Sequence, residues 1–383
     1  MKLKIYSFAF ASFLILSVVF LGCSSGKNRF EKGEYDAATQ QAIKRLRSNP
    51  DKKKAVKYLD LAYNHAVDYH LSEIDRLKAS QDRFKFDDVV WHYQKLNELY
   101  NEIIKCPGCL EVIPNPKIFQ NEFNESSLAA SKAHFEYGLE QLNLNTKSGG
   151  REAYRHFTTA KNYTPKYSKI DEYISQALSL GTVRVLIENI PVHSRSLALT
   201  NEFFQNQISE YARGLNYTFV EFYRESEYNA LNVEIDEVIV MKFDDFVVGQ
   251  TYIKEKTETI EKDSVKIGTV KTSDGELPVI GKAKAKFTTY EKTLTSSGLL
   301  DFQIVDATSG ATLRQQKFPG TFVWKTDWAS YNGQEEALTA EQIKMSKRTE
   351  AYPPSPQDLF IEFTRPIYSQ LVRSIANYYS GLN

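Results

Sequence analysis

A change of hydrophobic period at Gly181-Thr182 constrains this chain more than any other feature. From Arg29 to Leu180 apolar residues recur at helical spacing and strand signals are few; beyond it the apolar runs shorten and begin to alternate. A chain of 383 residues has room for two domains. The expected fold class is therefore α+β, with helical hairpins in residues 30–180 and an αβ layered domain in residues 181–383.

In the second half, Val183 to Ile190 reads as an apolar strand. Ser196 to Leu215 reads as an amphipathic helix with Leu199, Phe203, Phe204, Ile208 and Tyr211 on one side. Tyr217 to Tyr223 and Val233 to Val248 are further strands, followed by a polar ribbon from about Gln250 to Thr288. Leu299 to Val305 then leads through the turn signal Asp306-Ala307-Thr308-Ser309-Gly310 into Thr312 to Val323, and the chain closes on a helix from Pro356 to Tyr379. This order predicts a mainly antiparallel sheet with a long β-hairpin, packed against helices.

Two stretches of the helical half carry a sharper pattern. One is Gly33, Tyr35, Ala38 and Ala42 with Pro50 beyond; the other is Ala153, Phe157, Ala160 and Pro165, preceded by a helix around Phe135, Tyr137, Gly138 and Leu139. Both resemble the tetratricopeptide repeat, in which small residues let paired helices approach, an aromatic ring fills the gap and proline ends the second helix. The first match departs at Arg45, where a small residue is expected. The resemblance implies a solenoid of three or four degenerate hairpins that binds peptide segments or partner proteins on its concave face.

The second half resembles the periplasmic domain of the curli secretion channel lipoprotein and of the penicillin-binding-protein activator lipoproteins. The residues that carry this are Ser297 to Asp306 with Ser309-Gly310, a strand, an Asp/Gly turn and a returning strand. In the curli channel, hairpins from several subunits form a membrane barrel, whose strands need a continuous apolar face over about nine to eleven residues. Here Thr251 to Asp263 puts Tyr252, Lys254, Lys256 and Glu258 on one face and Thr251, Ile253, Glu255, Thr257 and Thr259 on the other. Gly281 to Thr295 carries Lys282, Lys284 and Lys286 on one side. The ribbon is thus expected to be a solvated arm, which suits an adaptor better than a channel.

At the other end, Lys2 and Lys4 precede an apolar run from Tyr6 to Leu21 and then Gly22-Cys23-Ser24-Ser25. This reads as an export signal. The cysteine after a small residue resembles the lipobox of bacterial lipoproteins, with Phe20 where that family usually has Leu. The resemblance implies cleavage after residue 22, lipidation of Cys23, a linker over residues 23–29 and a membrane tether. The other two cysteines form Cys106-Pro107-Gly108-Cys109. Zinc needs four ligands and no second such pair exists, while a thioredoxin-like site should open a helix after a strand, whereas this pair follows a helical run. In an oxidising compartment a structural disulfide between Cys106 and Cys109 is expected, with free thiols and redox catalysis as alternatives.

Lys plus Arg and Asp plus Glu number 48 each, which removes the electrostatic footprint of a nucleic-acid binder. No phosphate loop, nucleophile elbow or His-Glu-x-x-His occurs, and His65 and His70 stand five apart, off one helical face, so neither catalytic residues nor a metal or other cofactor is expected. Trp324 and Trp328 beside Tyr331 are candidates for stacking on sugar or peptide, or for the core. The expected protein is a non-enzymatic lipoprotein on the periplasmic face of the outer membrane. It would act as a scaffold or accessory subunit of an envelope assembly, secretion or cell-wall machine, gripping envelope proteins through its helices and capable of self-association. An oligomeric secretion channel and a carbohydrate- or peptidoglycan-binding module are the alternatives.

Overall fold

The computed structural model describes residues 26–382 apart from 193, 232 and 274, and these fall into two compact units that divide between Gly181 and Thr182. The first is helical and the second is built on a mixed sheet, an α+β chain. The first 25 residues, with the expected signal, lie outside the described residues.

The helical unit runs α1 (Lys27–Phe30), α2 (Tyr35–Ser48), α3 (Lys53–Lys78), α4 (Lys85–Ile104), α5 (Pro107–Val112), α6 (Gln120–Leu142), α7 (Lys147–Tyr163) and α8 (Ile170–Gly181). Part of the expected linker, Lys27 onward, is thus a helical turn, because Phe30 packs against Tyr35, Tyr58 and His65. The apolar stripes of α2, α3 and α4 meet in one cluster around Leu46, Leu59, Leu96 and Ile103. Ala153, Phe157 and Ala160 of α7 centre another, with Ile170 and Ala177 of α8. Thr146 begins α7 by accepting a hydrogen bond from the Gly149 amide, one of the four amides a helix start leaves unpaired.

The second unit has five strands, β1 (Val183–Ile187), β2 (Val220–Arg224), β3 (Glu237–Thr272), β4 (Gly275–Asp306) and β5 (Thr312–Gly333), in the order β2-β1-β3-β4-β5. Its helices are α9 (Ala198–Gly214), α10 (Glu225–Leu231), α11 (Ala340–Ser346) and α12 (Pro356–Tyr379). β1 is parallel to both β2 and β3, while β3, β4 and β5 form an antiparallel meander. The sheet is therefore mixed: its long pairings are antiparallel, as expected, while β1 lies parallel to its neighbours because a crossover carries the chain from the end of one strand back to the start of the next.

α9 and α12 cover one face over Val185, Phe222, Ile239, Phe302 and Phe318. The phase of α9 differs from the expectation. Leu197, Asn201, Phe204, Ile208 and Ala212 face the sheet, whereas Leu199 and Phe203 point to solvent, 81% and 55% exposed. Asn201 takes an inward position because its side-chain amide donates to the Ile190 carbonyl at 2.9 Å. Ser355 and Asp358 start α12 with a capping box, followed by Pro356 where a missing N–H costs nothing.

Candidate interaction surface

β3 and β4 are 36 and 32 residues long, far more than the sheet core uses. β1 pairs with β3 only over 237–239, and β5 leaves β4 at Gly333↔Ala285, so beyond this point β3 and β4 continue as a two-stranded ribbon to Thr272↔Gly275. That ribbon is about 33 Å long, ten steps of β4 at some 3.3 Å per residue. Its base is tied down where the Gln334 amide donates to the Lys284 carbonyl and the Lys284 amide to Gln334 Oε1. There Ala283, Ala285, Phe287 and Ala329 are buried with Ala337 and Leu338, and Ile343 and Met345 of α11 pack alongside.

The apolar side does not end with this cover. Leu277, Val279 and Gly281 continue the alternation of Ala283, Ala285 and Phe287 along β4. Opposite them on β3 stand Val270, paired with Leu277, and Val265, paired with Gly281, with Ile267 bulged between. Gly281 makes room for Ile267, whose Cδ1 lies 2.4 Å from where a Cβ would stand. Val270 and Leu277 are 53% and 59% exposed. The other side of the ribbon carries the exposed Ile280 among charged residues, with Lys282 beside Asp263 at 3.2 Å and Lys271 beside Glu276 at 4.0 Å, exposed pairs that each contribute little. An apolar stripe standing clear of the body on a ribbon with no core of its own is what a partner-facing surface looks like. The polar middle of the arm concealed it, since the faces of Thr251 to Asp263 are polar and the stripe begins only at Val265.

Trp328 stacks on Tyr290 across β4 and β5, with centroids 5.2 Å apart and planes 13° from parallel. Trp324, opposite Leu294, and Trp328 are both half-buried, and Tyr331 donates to Glu335. A second apolar patch lies between α9 and α12, where Phe203, Ile361 and Tyr368 line a groove of about 190 Å³.

Of the residues singled out in the sequence, Cys23 lies outside the described residues. Cys106 and Cys109 form a disulfide, both fully buried, with Cys106 at the start of α5. His70 is packed inside the helical unit and pairs with His92, and His134 pairs with His156, in each case Nδ1 to Nδ1 at 2.7 Å. Each pair is completed by an aspartate from an earlier helix, Asp36 of α2 on His70 and Asp87 of α4 on His134. The signal was present as a spacing of 22 residues that occurs twice. Among the described residues no group of three or more His, Cys, Asp or Glu side chains is arranged to hold a metal ion, and no helix is long and apolar enough to cross a membrane.

No family model and no curated protein sequence matches this chain. Among solved structures, it is similar to a neuraminyllactose-binding hemagglutinin homolog from Helicobacter pylori at 12% identity, over 53% of this chain and 92% of that one, with a TM-score of 0.24. A likeness at that score carries no argument about fold or function.

Proposed function

We propose that this chain is a lipoprotein anchored through Cys23 to the outer membrane, facing the periplasm, and that it serves as a non-enzymatic scaffold or accessory subunit of an envelope assembly, secretion or cell-wall machine. The observation that carries the reading is the exposed apolar stripe of Ile267, Val270, Leu277 and Val279 toward the free end of the arm. The helical unit is read as a short tetratricopeptide-like solenoid. Its support is the shared spacing of α3/α4 and α6/α7, where His70/His92 and His134/His156 stand at matching places. Such hairpins offer a second surface for an envelope protein.

The test has two parts. Cys23→Ala should move the protein from the membrane pellet to the soluble envelope fraction, and membrane association that survives this change and a carbonate wash overturns the tether. A photo-crosslinking residue at Leu277 in the anchored protein should give a discrete adduct with one envelope protein, and Val270→Asp should abolish it. Adducts only between copies, in detergent-dependent rings, would favour the oligomeric channel instead.

A further inference from the structure

Nε2 of His70 lies 3.0 Å from both oxygens of Asp36, so this nitrogen keeps its proton and donates it to the carboxylate. Its Nδ1 meets Nδ1 of His92 at 2.7 Å, a hydrogen bond that needs one proton between the rings and a bare lone pair on one of them. The second chain repeats the arrangement. His134 Nε2 faces Asp87 at 2.9 and 3.1 Å, its Nδ1 meets His156 Nδ1 at 2.7 Å, and His156 Nε2 lies 3.1 Å from Glu152. All four rings are buried, His70 completely.

One proton in each Nδ1 contact binds two rings together. Two protons would set N–H against N–H and place two positive rings side by side where water cannot screen them. The charged groups around the rings do not remove this conflict. Asp36 of α2, Glu73 of α3 and Asp88 of α4 face the first pair, and Asp87 of α4 with Glu152 and Arg155 of α7 face the second, where Tyr163 also bonds Asp87. These carboxylates favour a first positive charge on a pair, but no acceptor fits between nitrogens 2.7 Å apart.

We propose that the two histidine pairs form an acid-operated latch in the helical unit, in which a second proton on a pair breaks its Nδ1 contact and loosens α3 from α4 or α6 from α7. The two halves are coupled through α4, which carries both His92 of the first pair and Asp87 of the second chain. A shift of α4 that separates His92 from His70 also draws Asp87 from His134, so the unit opens as one. The latch rests on helix packing alone and not on the lipid anchor or on any partner.

The direction of the response is fixed by burial. Burial first, and the facing ring second, hold His92 and His156 below the ordinary histidine value of 6.5. The unfolded chain therefore binds more protons below that value. The latch is fully closed above it and is lost as the pH falls through the depressed folded values.

Hydrogen exchange of the full chain, corrected for intrinsic rates and followed by mass spectrometry, tests this. Between about pH 7.5 and about pH 5, protection of peptides from residues 53–104 and 120–163 should fall by roughly tenfold or more relative to strands β3 and β4 in the same molecule. His92→Asn with His156→Asn puts an amide atom where each Nδ1 stood, so it keeps a hydrogen-bonding partner for the facing ring but removes the second proton site, and should abolish the pH response. Imidazole nitrogen spectra of the wild-type chain count the protons directly, so the test stands even if that variant does not fold. Unchanged relative protection at about pH 5, or spectra showing both rings of a pair doubly protonated while the α3–α4 and α6–α7 amides stay protected, overturns the latch.

Discussion

Gly138 of α6 lies against the ring of Phe157 on α7, so close that a Cβ on Gly138 would stand 2.6 Å from Cε1. Phe157 is fully buried and touches Phe135 and Tyr173 as well, so the ring has nowhere to retreat. In an open helix Gly→Ala gains about 0.5–1 kcal/mol, whereas forcing a side chain into a packed core costs about 1–3 kcal/mol. Gly138→Ala should therefore destabilise the helical unit despite the better helix former. Phe157→Ala should cost more, about 3–5 kcal/mol, because it leaves a cavity. Denaturant unfolding measures both, and a Gly138→Ala protein at least as stable as wild type would show that the ring can move.

Tyr379, at the end of α12, donates its hydroxyl to Glu237 at 2.9 Å, joining that helix to the first residue of β3. Burial raises the Glu237 carboxyl above its ordinary 4.5, and the charges of Asp236 and Asp306 push the same way, against the Tyr379 hydrogen bond. The folded state then holds a proton that the unfolded state has released. The stability this group supplies is present below 4.5 and is lost as the pH rises through the raised folded value. Glu237→Gln keeps an acceptor for Tyr379 without the charge. It should raise the melting temperature at neutral pH and leave it unchanged near pH 4; equal melting at both would show that Glu237 is ionised without penalty.

How far the fold is legible in the sequence follows from which interactions are local. The helices of the first unit are legible because each buries a stripe such as Ala55, Leu59, Ala62 and Ala66, spaced so that one face meets its neighbour. Leu199 and Phe203 mislead because α9 carries apolar residues around much of its circumference, and only the sheet decides that Leu197, Phe204 and Ile208 turn inward. The turn at Asp306 is legible because its carboxylate accepts from the amides of Thr308 and Ser309 and Gly310 takes a φ of 70°, all within five residues. The histidine chains are not, since Asp36 and His70 stand 34 residues apart and nothing local brings them together. The arm falls between the two: beyond the buried Ala283, Ala285 and Phe287 its strands cover no core that would fix their period, and cross-strand bonding continues them to Thr272.

The Cys106–Cys109 disulfide closes a loop of only a few residues beneath α2 and α4. Because the loop is short, removing it should cost no more than the low end of about 2–4 kcal/mol. Cys106→Ala with Cys109→Ala should thus lower the melting temperature while preserving the helical content. The non-reduced peptide should weigh two hydrogens less than its reduced form, and cysteines that alkylate freely without reductant would remove the bridge.

The end of the arm should be dispensable for folding. Lys266 and Ile280 are directly paired, so replacing residues 267–279 with Asn-Gly would join them by a two-residue hairpin turn of the favoured kind. The buried cluster of Ala283, Ala285, Phe287, Ala337 and Leu338 lies outside the removed segment, and every residue whose side chain is described within it is exposed. Stability should change by no more than about 0.5 kcal/mol, the range of surface substitutions. The shortened protein should be more soluble, because Val270 and Leu277 no longer face water. A large loss of stability would mean that the stripe already packs against part of its own chain, and the partner-facing role of the arm would fall with it.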